Sequence, residues 1–73
     1  MRMPQAHVSS HELVKCRLRL AGSSLAAVAR ELGLAPATVT IVSQGMRRSQ
    51  RVENAIAAKV GLPAAELWPE KYR

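Results

Sequence analysis

Apolar residues recur along most of this chain at intervals of three and four, the period of an α-helix rather than of a strand. Leu25, Val28, Ala29 and Leu32 fall at i, i+3, i+4 and i+7, which predicts a short helix with one apolar face. Ahead of it, two interleaved rows, Val14 with Leu18 and Leu13 with Cys16 or Arg17 and Leu20, predict a helix to about Ala21, with Lys15 and Arg19 on a basic flank. Ser9 and Glu12 have the spacing of a capping box at its start. Gly22 ends this helix and Ser24 can cap the next. Downstream, Ser49 caps a helix with Val52, Ile56 and Val60 turned inward and Ala55 and Lys59 on its flanks, and Gly61 closes it. Pro63 opens a short helical turn from Ala64 to Leu67, after which Trp68-Pro69 ends regular structure. Residues 1–8 have no periodicity and contain Pro4, so they read as a flexible arm before a single domain over 9–73.

One segment breaks the pattern. Residues 38–42 are five consecutive β-branched side chains, which intrinsically favour a strand. Pro36 suits the first helical turn and Gly45 a helical stop, and a lone strand would have no partner elsewhere in the chain. The segment is therefore expected to be a helix whose stability comes from packing. Four helices and a short fifth in one compact all-α bundle follow.

Composition narrows the means of stabilisation. A 73-residue chain has a thin core, and the single Cys16 permits no disulfide. Cys16 with His7 and His11 is too small a set for a structural zinc site, so no metal or cofactor is expected. Cys16 reads as a small buried apolar residue and the two histidines as surface groups. Trp68 and Tyr72, the only aromatics, fall in the last six residues and read as core packing rather than as stacking platforms for single strands.

Charge points to a partner. The net charge is +6, which favours a polyanion. No apolar run approaches the roughly 20 residues that span a bilayer, and no apolar stretch follows Arg2 as in a secretory signal, so a cytoplasmic, nucleoid-associated protein of a bacterial cell is expected. The charge is also divided: residues 1–24 carry +3, 25–44 carry zero, 45–59 carry +3 and 60–73 carry zero. Double-stranded DNA is the partner this arrangement suits, with phosphates held by the basic flanks and bases met by the neutral segment.

The neutral segment has the pattern of a helix-turn-helix. Two helices that cross steeply need a small residue at the crossing, a turn residue that tolerates positive φ, and apolar side chains that lock both sides. Ala29, Gly33, Leu34, Val39 and Val42 meet those needs in order. Projected at 100° per residue, the second helix turns Val39, Val42 and Met46 inward and Ala37, Thr40, Ile41 and Gln44 outward. That outer face suits the major groove: Ala37 permits close approach, Thr40 donates or accepts, Ile41 touches a thymine methyl and Gln44 pairs bidentately with adenine. Arg47, Arg48 and Arg51 are the leading phosphate ligands, with Arg19 or Arg17 secondary. The uncapped start of the helix, from Pro36 to Thr38, adds a further phosphate contact.

The stretch Leu25 to Gln44 resembles lambda-repressor-like helix-turn-helix domains. Leu32-Gly33-Leu34-Ala35-Pro36-Ala37-Thr38-Val39, taken with the ending Leu67-Trp68-Pro69-Glu70-Lys71-Tyr72, resembles the Ner-type regulators of transposable phages. The resemblance implies a small all-α DNA-binding protein acting on a phage or prophage promoter, commonly as a repressor, with Pro36 to Gln44 as the reading helix. The chain has no nucleophile elbow, paired carboxylates or phosphate loop, so no enzymatic activity is expected. No small-molecule ligand is expected either. Without a heptad zipper, a monomer in solution that can pair on DNA is expected. Two other classes remain open from the residues alone. The neutral face could instead bind a protein, as in an antitoxin or assembly partner, whereas a nonspecific architectural protein fits the charge but not the neutral face.

Overall fold

The computed structural model describes residues 10–71. They form α1 (Ser10–Leu20), α2 (Leu25–Leu32), α3 (Pro36–Ser43), α4 (Gln50–Val60) and α5 (Ala64–Leu67), followed by a 3₁₀ turn at Pro69–Lys71. Among the described residues there is no strand, and the fold is all-α as expected. The arm, the Ser9 cap and Tyr72 lie outside the described residues. Glu12, assigned to the Ser9 capping box, lies 3.5 Å from the Lys15 ammonium.

Of the two apolar rows on α1, only Val14 and Leu18 enter the core, both fully buried. Leu20 is 81% exposed and Leu13 44% exposed. Cys16, expected to be buried, is exposed. The reason is angular: Cys16 lies about 200° round the helix from Val14, on the far side from the core. His11 lies only about 60° from Val14, and it is half-buried rather than a plain surface group.

The α2–turn–α3 unit forms as the spacing predicts. Ser24 Oγ accepts the Ala27 N–H at 3.0 Å and caps α2. Gly33 stands at φ 72°, in the left-handed region, and its turn lets the Leu34 N–H reach the Ala29 carbonyl at 2.9 Å. Ala29 is fully buried, and α2 and α3 form the most extensive helix pair in the fold. The β-branched run is helical because Val39 and Val42 are wholly enclosed, so burial outweighs its poor propensity.

Met46 corrects the projection of α3. Expected to face inward with Val39 and Val42, it is 74% exposed. The helix ends at Ser43, and Gly45 at φ 86° turns the chain away, so the 100° rule no longer applies at Met46. In that reversal the Gly45 N–H bonds to Val42 O and the Met46 N–H to Ile41 O.

Ser49 caps α4 by accepting the Val52 N–H, and Val52 and Ile56 fill the core while Val60 is half-buried. The tail goes further than the sequence predicts. Trp68 is fully buried, and beyond Pro69 the 3₁₀ turn carries Lys71 back against α3.

Candidate nucleic-acid interface

The exposed side of α3 is the side predicted for base contact. Ala37, Ile41 and Gln44 are exposed and Thr40 is half-buried, while Val39, Val42 and Ser43 face the core. Ile41 is an aliphatic side chain standing beside small and amide groups, with no charge among them.

The start of α3 differs from its sequence reading in one respect. Ala35 provides no side-chain cap, Pro36 has no N–H, and the Thr38 N–H is used by Ala35 O at 3.0 Å. Of the three residues 36–38, Ala37 therefore supplies the backbone amide at the helix opening. Pro36 shapes that opening, and Thr38 has only its half-buried side chain to offer.

The C-terminal end of α3 is held by donors from the tail. Trp68 Nε1 donates to Ser43 O at 3.0 Å, and Lys71 Nζ donates to Val42 O at 3.0 Å. Positive charge at this end also complements the helix dipole. The Lys71 ammonium lies 4.9 Å from the centroid of the Trp68 ring and 3.3 Å from Glu53 Oε2. Glu53 is fully buried and gathers Arg48 Nε at 3.1 Å and the Ser49 N–H at 3.3 Å as well. A carboxylate without water requires such partners. Sequence reasoning missed Glu53, although its place beside Val52 and Ile56 in the apolar stripe of α4 was a visible signal.

The predicted phosphate ligands fall into different settings. Arg47 is exposed and makes no hydrogen bond or ion pair among the described residues. Arg48 is tied to Glu53, and Arg51 donates to Leu32 O at 2.8 Å, closing the end of α2 just before the turn. All three lie in or just after the loop that follows α3. Arg19 is on α1, and with His11 and Lys15 of the same helix, residues 23–25 at the start of α2, and Thr40 on α3 it lines a cleft of about 320 Å³. Basic groups thus adjoin α3 from two directions. His11 Nδ1 lies 2.8 Å from Ser43 Oγ, which joins α1 to the last residue of α3. Burial, helped by the Lys15 charge and opposed by Glu12, holds the His11 imidazole below its ordinary pKa.

This arrangement is that of a helix-turn-helix DNA-binding domain, with the second helix exposed and cations beside it. The profile of the winged helix-turn-helix DNA-binding family matches residues 9–73, and the chain belongs to that family. Among the described residues the helix-turn-helix is accompanied by helices alone. No curated protein and no solved structure matches the chain. Among the described residues no group of acidic, His or Cys side chains is placed to hold a metal ion, and no helix is long and apolar enough to cross a membrane.

Proposed function

We propose that the protein is a sequence-specific transcriptional regulator that reads duplex DNA in the major groove with α3. The observation that carries this reading is the division of α3 into a buried side, Val39, Val42 and Ser43, and a neutral outer side, Ala37, Thr40, Ile41 and Gln44, with basic residues adjoining it. A neutral face suits discrimination between bases, whereas a basic one would bind every sequence alike. Arg47, Arg48, Arg51 and Arg19 supply phosphate contacts, assisted by the start of α3 at Pro36 to Thr38.

The finer assignment is a Ner-type, lambda-repressor-like regulator of a phage or prophage promoter, acting as a repressor in the bacterial cytoplasm. The Leu67-Trp68-Pro69 ending supports it, because Trp68 has a specific place against α3. The protein acts without a small-molecule ligand and without catalysis. It is a monomer in solution that pairs on DNA.

Selection of bound duplexes from a random pool, followed by footprinting of the winner, tests the reading. A defined site of two half-sites about one helical turn apart is expected. Recovery of unrelated sequences with no common motif would refute it.

A further inference from the structure

The cleft between α1 and α3 has features that a base-reading role for α3 does not require. Lys15 and Arg19 bring two cations to it, and Leu25 stands at the opening of α2, where its amide precedes the first intrahelical bond, from Val28 N–H to Ser24 O. Ser23 Oγ, also in the cleft wall, is buried and has no hydrogen-bond partner. A buried hydroxyl left so is costly, and an anionic oxygen in the cleft would satisfy it. The cleft reaches Thr40 on the outer side of α3, so a group bound there lies beside the base-contacting surface.

We propose that this cleft holds a DNA backbone phosphate and that His11 is its protonatable member, so that duplex binding takes up a proton and tightens as the pH falls. The proposal rests on the DNA-binding reading above and adds a site and a regulation to it. Protonation does not sever His11 from α3, because the Ser43 hydroxyl both donates and accepts and can meet either state of Nδ1. The charges around His11 fix its behaviour in the free protein. On its own helix Lys15 opposes protonation and Glu12 favours it, and Arg19, further along that helix, lines the same cleft. From α3 come only the uncharged Ser43 and Thr40. On α4 and in the tail, Glu53 and Lys71 are paired with each other at 3.3 Å, and the Glu66 side chain of α5 is exposed. A phosphate in the cleft adds an anion beside the imidazole and so favours its protonated form.

The test measures affinity for a mixed-sequence duplex at constant salt from about pH 8 to about pH 5.5, alongside the NMR titration of the His11 ring with and without that duplex. The wild-type protein should bind more tightly at the acid end, by no more than about tenfold per pH unit, the limit for one proton. Adding duplex should raise the His11 pKa. His11→Gln, which keeps a hydrogen-bonding group for Ser43, should flatten the pH profile while His7→Gln leaves it unchanged. Lys15→Gln and Arg19→Gln should each lessen the salt dependence by about one counterion. A pH slope that persists in His11→Gln, or a His11 pKa unmoved by duplex, overturns the proposal and leaves sequence discrimination by α3 intact. Movement of the His11 signals by inorganic phosphate alone, with no response to duplex, reassigns the cleft to a free anion and also overturns it. Failure to bind any duplex at any pH overturns both readings.

Discussion

Trp68 donates its indole N–H to the carbonyl of Ser43, 25 residues earlier in sequence and the last residue of α3. The largest buried side chain of the molecule is thereby fastened to the end of the helix proposed to read DNA. Trp68→Phe keeps much of the apolar bulk and removes the donor, leaving a buried carbonyl with one partner fewer. A loss of about 1–3 kcal/mol in urea unfolding is expected. An unchanged urea midpoint would show that this bond contributes nothing to stability.

Glu53 gives a second prediction. It is fully buried with Arg48, Lys71 and the Ser49 amide around its carboxylate. Glu53→Ala strands Lys71, itself only 7% exposed, and should cost about 3–5 kcal/mol. Lys71→Met should cost less, because Arg48 and the Ser49 amide still satisfy the carboxylate. Thermal melts of both variants check the order.

Gly33 isolates backbone conformation from packing. At φ 72° it occupies a region disfavoured for other residues, and a Cβ added there would meet nothing within 4 Å. Gly33→Ala should therefore cost about 1 kcal/mol through strain alone. Circular dichroism should still report a helical protein, with a lowered melting temperature.

The free protein should lose stability in acid through His11. Its folded pKa lies below the unfolded value, so the unfolded chain binds more protons in the interval between them. The His11 contribution is complete above the unfolded pKa, near pH 6.5, and is lost as the pH falls through the folded one. Urea unfolding at about pH 7.5 and about pH 5.5 should show this loss, and His11→Gln should reduce it. Without DNA, acid thus weakens the fold through the residue proposed to strengthen DNA binding.

Much of this was legible in the sequence, and the failures have physical causes. The helix order, the Ser24 and Ser49 caps and the Gly33 turn depend on local chemistry, which neighbours in sequence determine. The β-branched run was resolved by a tertiary consideration, the lack of a strand partner, and its packed side matches Val39 and Val42. Cys16 and Met46 were misplaced for geometric reasons: one of two competing rows had to lose on α1, and α3 stops before Met46. The outer row Ala37, Ile41 and Gln44 followed from helical projection. Glu53, Lys71 and the His11–Ser43 contact were not seen, because each joins elements distant in sequence. Charge counting placed Arg48 and Arg51 among phosphate ligands without revealing that Glu53 and the Leu32 carbonyl already hold them.

Discrimination between sequences by α3 is probed at Gln44, whose side chain is exposed. The decisive measurement is the ratio of affinities for the selected duplex and a random duplex, in wild type and Gln44→Ala, at one salt concentration. Gln44→Ala should lower this ratio by about 1–3 kcal/mol while affinity for random duplex stays unchanged. Equal loss on both duplexes, or a wild-type ratio near one, would show that α3 does not read sequence.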